Sequence, residues 1–145
     1  MSYPKQRITL ITLGVANIPR ARAFYEALGW RPVQALESVV FYQLAGMALG
    51  LFGREDLAAD QGRPGAVLGA GAMTLAQNFD TEAEVDAAFA AALAAGATAL
   101  KAPEKVFWGG YSGYFADPDG HVWELVMNPF WPLAEDGTLS IPASA

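Results

Sequence analysis

The chain contains no cysteine and only one histidine, His121. Without thiols it can form no disulfide, no thiolate metal site and no cysteine nucleophile. Charge is also scarce: Asp, Glu, Lys and Arg make up 17% of the 145 residues, against roughly 25% in an average chain. Bases are the scarcer sign, 9 against 15 acids, leaving a net charge of −6. No nucleic-acid partner is expected, because neutralising phosphates needs clustered Lys and Arg. The acidic surplus keeps the domain in solution and mildly favours cationic ligands. No apolar run reaches the roughly 18 residues of a membrane span. The polar stretch Met1–Arg7 leads into a strand pattern and not into an apolar leader. No membrane association is expected, and the expected location is cytoplasmic.

What is present is apolar material, 53% of residues. That is enough for the core of one domain, with a surplus for an interface or a cavity. Ile8–Val15 is rich in β-branched residues and alternates, with Ile11, Leu13 and Val15 on one face and Ile8, Leu10 and Thr12 on the other. Asn17 can cap a helix, Pro19 suits its first turn and Gly29 stops it, while Ala21, Phe24, Tyr25 and Leu28 fall at helical spacing. Short strands are predicted near 30–35, 39–44 and 48–52, with Gly46 in the last hairpin. Residues 54–70 are glycine-rich with scattered charge and read as a linker or flexible loop.

The same order then repeats. A strand is predicted at Ala72–Ala76, and the pair Thr81 and Glu84 forms a capping box opening a helix that Gly96 ends. Strands follow near 97–101, 110–116 and 121–127. The fold class predicted is α+β: two βαβββ modules, 6–53 and 71–128, joined by the linker 54–70 and followed by a tail, 129–145, in a single domain. The second helix is rich in alanine, which favours a helix and a close approach to its sheet.

Two segments resemble a known family. Leu13-Gly14-Val15 through Asn17-Ile18, with Ala23-Phe24-Tyr25 and Leu28-Gly29-Trp30, is similar to the opening of the vicinal oxygen chelate superfamily. Asp117-Pro118-Asp119-Gly120-His121-Val122-Trp123-Glu124-Leu125 resembles its closing motif. That superfamily includes glyoxalase I, extradiol dioxygenases, fosfomycin-resistance enzymes and bleomycin-resistance proteins. The tail from Asn128 to Pro142 resembles that of an uncharacterised bacterial branch. The resemblance implies two modules whose sheets curl as a mixed sheet around a central cavity. It also implies a divalent metal held by inward His, Glu or Gln side chains at four places, two per module. Those places fall on Leu10, Gly50, Ala72 and Glu124, of which only Glu124 offers a donor. No metal and no other cofactor is therefore expected.

Glu124 remains as a carboxylate on a strand bounded by apolar residues, which is costly to desolvate without a partner. His121 lies at odd spacing from it, hence on the opposite face. Asp117-Pro118-Asp119-Gly120 is turn chemistry and lacks the further acids of a calcium loop. Candidate ligand contacts are Glu124, Thr12, Thr74, Phe52, Trp108, Tyr111 and Tyr114. Thr12 and Thr74 are read as matching places in the two modules. A regular strand puts Tyr111 and Tyr114 on opposite faces, and the sequence leaves open which of them faces the cavity. The expected function is metal-independent binding of a small molecule, in the manner of the drug-sequestering members of the superfamily. The alternatives are a metal-independent isomerase or lyase using Glu124 as acid and base, or a scaffold without catalysis. A homodimer is expected.

Overall fold

The computed structural model describes residues 4–144. Residues 1–3 and 145, which belong to the polar start and the end of the tail, lie outside the described residues. Each module builds a four-stranded sheet. In the first, β1 (Leu10–Val15) runs parallel to β4 (Ala48–Gly53), which pairs antiparallel with β3 (Val39–Gln43) and then β2 (Gln34–Ala35), in the order β1-β4-β3-β2. Helix α1 (Ile18–Ala27) makes the crossover. In the second, β5 (Thr74–Phe79) runs parallel to β8 (Val122–Met127), followed by β7 (Tyr111–Ala116) and β6 (Thr98–Lys105), in the order β5-β8-β7-β6, with α3 (Glu82–Ala95) as crossover. The predicted caps are realised: Asn17 accepts from the Arg20 N–H at 2.9 Å and Thr81 from the Glu84 N–H at 3.1 Å, while Gly96 closes α3 with φ 112°. Among the described residues no helix is long and apolar enough to cross a membrane.

The structure corrects the sequence reading in three places. Residues 54–70 are not loop throughout: they begin with a helix, α2 (Arg54–Asp60), whose first turn carries Glu55 and Asp56 and whose Ala58 is fully buried. Acidic residues in the first turn favour such a start. The strand placed at Ala72–Ala76 begins two residues later, at Thr74, so Ala72 precedes the sheet. Consequently Thr12 and Thr74 do not match. Thr12 pairs with Gly50 and Ala76 with Glu124, so Thr12 corresponds to Ala76, and Thr74 corresponds to Leu10.

One core closes within the chain. The inner faces of β1, β3 and β4 (Leu13, Val15, Val40, Tyr42, Leu49, Leu51) meet α1 through Phe24 and Tyr25, and the cluster continues into Phe115, Trp123 and Leu125 of the second sheet. The Tyr25 and Trp123 ring centroids are 6.0 Å apart, and Phe115 stacks on Trp123 at 6.3 Å. The turn before β8 fastens the two modules. Asp117 is buried and satisfies its own turn, its Oδ1 accepting from the Asp119 and His121 N–H groups at 2.9 Å each. Its Oδ2 accepts from the Tyr25 hydroxyl at 2.6 Å, and that hydroxyl accepts from Trp123 Nε1 at 3.1 Å. Asp119 Oδ1 accepts from the Ala16 N–H at 2.8 Å, from Arg20 at 2.9 Å and from Arg54 at 3.2 Å. Helix α2 is thereby tied to the turn through its first residue.

Candidate functional site

Pairing register defines which side chains leave the outer face of each sheet, away from the crossover helices α1 and α3. In the first module these belong to Leu10 and Thr12 of β1, Gly50 and Phe52 of β4, and Phe41 of β3; in the second, to Thr74 and Ala76 of β5, Glu124 of β8 and Tyr114 of β7. Gly50 and Glu124 occupy the same place in their modules, each the third residue of its strand. At Gly50 the space is already taken: a Cβ there would stand 3.1 Å from the Phe41 ring. A donor side chain at that place has no room while Phe41 keeps its position.

The four metal places implied by the resemblance therefore do not fit a divalent ion. Leu10 offers no lone pair, Gly50 lies under Phe41, and Ala72 is off the sheet. Thr74, which takes the place matching Leu10, is a hydroxyl and not an imidazole or carboxylate. Among the described residues no three His, Asp or Glu side chains gather as a metal-binding group.

The candidate contacts separate into three locations. Glu124 is half-buried on β8, and Tyr114 stands directly across from it on β7. Burial first, and then the Glu124 charge, push the Tyr114 hydroxyl above its ordinary value. Tyr111 points the other way, toward α3, where its hydroxyl donates to Asp86 at 2.6 Å; that bond is the main reason its pKa is pushed up to about 12. Of the two tyrosines, Tyr114 thus shares the Glu124 face. Trp108 sits in the turn between β6 and β7, its ring laid over Gly110. Phe52 is half-buried on the outer face of β4.

A cavity lies elsewhere, and of the seven candidates only Thr12 lines it. It measures about 510 Å³, is open to solvent, and is bordered by β1, α2, the segment that follows α2 and the start of β8; of its lining residues Gln61, Arg63, Val67 and Met73 are exposed. Its apolar wall comes from Leu57, Val67, Leu68, Met73, Leu75 and Val122, and its polar groups from Thr12, Gln61, Arg63 and His121. Gly14 makes this closure feasible, since a Cβ there would come within 3.2 Å of Leu57. His121 Nε2 lies 2.7 Å from the Gly14 carbonyl oxygen, so it carries the proton and donates. Sequence reasoning missed Gln61 and Arg63 because they lie in the segment read as linker, and it read His121 only as lying on the face opposite Glu124. The signal was there in the mixture of Leu57, Val67 and Leu68 among the glycines, since a purely flexible linker has no use for aliphatic residues at this density.

A profile of the Glyoxalase/Bleomycin resistance protein/Dioxygenase superfamily matches residues 7–125. The crystal structure of a glyoxalase-related enzyme from Fulvimarina pelagi is 36% identical and superposes with a TM-score of 0.90, covering 96% of this chain and all of that one. A lactoylglutathione lyase from Agrobacterium tumefaciens is 27% identical with a TM-score of 0.68, covering 90% of this chain and 100% of that one. An uncharacterised protein of Mycobacterium bovis is 51% identical over 45 residues, which is 31% of this chain and 30% of that protein. The chain thus spans about a third of the length of that curated relative. This chain belongs to the Glyoxalase/Bleomycin resistance protein/Dioxygenase superfamily.

Proposed function

We propose that this member of the superfamily binds a small molecule in the cavity between β1, α2 and the segment after it, and that it does so without a metal at the four inherited places. The observation that supports this most is the cavity itself: about 510 Å³, with mostly aliphatic walls and four polar side chains. Pockets that hold small ligands run to roughly 300–1,000 Å³ and have this balance of apolar wall and few polar groups. Similarity to glyoxalase-related proteins supports small molecules as the scale of ligand. The donor set at the metal places supports metal independence. A stoichiometric divalent ion in protein purified without added metal, lost in Glu124→Ala, would overturn that half of the reading.

A second reading has one observation in its favour, the pairing of Glu124 with Tyr114 on the outer face of the second sheet. There Glu124 would serve as acid and base in an isomerase or lyase reaction. A thermal-shift screen of a small-molecule library separates the two. At a concentration 100-fold above Kd a ligand should add about 2.7 kcal/mol of stability. Hits lost in the cavity-filling variant Ala72→Trp and retained in Glu124→Ala are the expected result. Hits lost only in Glu124→Ala, with turnover of the compound, would move the site to the second sheet. A library without any hit that Ala72→Trp removes would count against the cavity.

A further inference from the structure

The cavity has a sign. The chain carries a net charge of −6, yet among the described residues lining the cavity Arg63 is the one charged side chain, and no Asp or Glu joins it. Arg20 and Arg54 are neutralised by Asp119, Arg22 by Glu26, Lys101 by Glu104 and Lys105 by Glu82. Arg63, like Arg31 on the Glu26 and Trp30 carbonyls, rests on a neutral acceptor, and of these two Arg63 lines the cavity. Its Nε donates to Gln61 Oε1 at 3.0 Å, and Nη2 donates to the same oxygen. The guanidinium is oriented by an amide that leaves its charge uncompensated and its other N–H groups free to donate. The main chain at Arg63 is anchored as well, its N–H donating to the carbonyl of Ala58, a fully buried residue of α2, at 2.9 Å.

The rest of the wall restricts the ligand further. Among the described lining residues there is no Phe, Tyr or Trp, so no face is offered for stacking a planar ring. The wall beside Arg63 is aliphatic, with Leu57, Val67, Leu68 and Met73. One guanidinium matches one negative charge and pairs with a carboxylate through two parallel hydrogen bonds.

We propose that the cavity selects a small aliphatic carboxylate, its charged end on Arg63 and its apolar body against Leu57, Val67, Leu68 and Met73. This rests on the cavity reading above. The ligand chemistry is shared by free aliphatic acids and by the C-terminus of an aliphatic peptide.

The test is an NMR chemical-shift titration of the full chain with hexanoate, with hexanamide as the neutral counterpart and with N-acetylleucine as the peptide-end mimic. The expected result is that the two acids bind about tenfold or more tightly than the amide, charge-assisted bonds being the stronger class. Raising the salt concentration should weaken the acids and leave the amide unchanged. Arg63→Gln should abolish the preference without altering amide binding, and Arg63→Lys should keep part of it. Whichever acid binds tighter identifies the source. Equal binding of acid and amide, a preference that survives in Arg63→Gln, or no binding of either acid at millimolar concentration would overturn the carboxylate assignment. Neutral library hits that Ala72→Trp removes would in that case leave the cavity reading standing, and their absence would remove both.

Discussion

Two stretches of one motif, Asp117–His121 and Val122–Leu125, adjoin in the chain and differ in how fully their polar atoms are employed. In the turn, both Asp117 oxygens are engaged, and Asp119 Oδ1 takes an N–H and two guanidinium groups. Asp119 Oδ2 is the one oxygen of this pair that stays buried without a partner. In the strand, Glu124 is half-buried with Ala76 on one side and the raised-pKa Tyr114 on the other. The turn joins β8 to α1, β1 and α2, so its residues answer to the assembly of the two modules. Glu124 takes no part in those bonds between the modules. In this chain the turn half of the motif therefore serves the assembly of the two modules, and the strand half carries no such tie.

The largest effect should come from the turn. Asp117→Ala leaves the Tyr25 hydroxyl and two backbone N–H groups without their acceptor in a buried setting. Each such loss costs on the order of 1 kcal/mol or more, so the variant should lose about 3–4 kcal/mol in urea denaturation. A loss under about 1 kcal/mol would show that water replaces these bonds and that the turn is not what fastens the modules.

Next comes Tyr25, at the other end of the same bond. Tyr25→Phe removes a donor to Asp117 and an acceptor for Trp123 Nε1, and should cost about 2 kcal/mol. It should also change the alkaline limb of stability. Burial first, and then the Asp117 charge, raise the Tyr25 pKa well above its ordinary value. The folded value thus exceeds the unfolded one near 10. The unfolded chain then loses its proton first as pH rises, so the contribution is complete below about pH 10 and falls above it, by up to about 1.4 kcal/mol per pH unit. Tyr25→Phe should flatten that fall by this amount, measured as urea midpoints from pH 9 to 11. An unchanged slope would mean that the Tyr25 hydroxyl does not hold its proton more tightly in the folded chain than in the unfolded one.

Much of this architecture was legible in the sequence because it is written in periodic or local signals. The alternation of Ile11, Leu13 and Val15, the caps Asn17, Thr81 and Gly96, and the turn residues around Gly120 each act within a few positions. Helix α2 was not legible because it spans only 7 residues between glycines, too short for a 3.6-residue period to declare itself. The candidate site was legible only in part for a different reason. Parity correctly puts Tyr111 and Tyr114 on opposite faces, and the strand register, which the sequence does not show, is what sets Tyr114 on the face of Glu124. Parity is silent on which surfaces close over one another. The cavity arises where α2 and the segment after it come down on β1, a long-range event that sets Arg63 and Gln61 around one cavity with Thr12. No local rule reports such a meeting.

The smallest effect is expected at Glu124, and it is the most discriminating. If the strand half of the motif is free of structural duty, Glu124→Gln should change stability by no more than about 1 kcal/mol, the range of a partly exposed side chain without an ionic partner. A larger loss would place Glu124 with the turn and erase the contrast between the two halves. The same variant should move Tyr114. Its hydroxyl is raised by burial and then by the Glu124 charge, so removing the charge should lower the pKa without returning it to the ordinary value, since burial persists. Tyrosinate absorbance, read as the difference between wild type and a Tyr114→Phe background, reports this shift directly. A Tyr114 titration indifferent to Glu124→Gln would mean that the carboxylate faces water, and the second sheet would then offer no preorganised acid–base pair for chemistry.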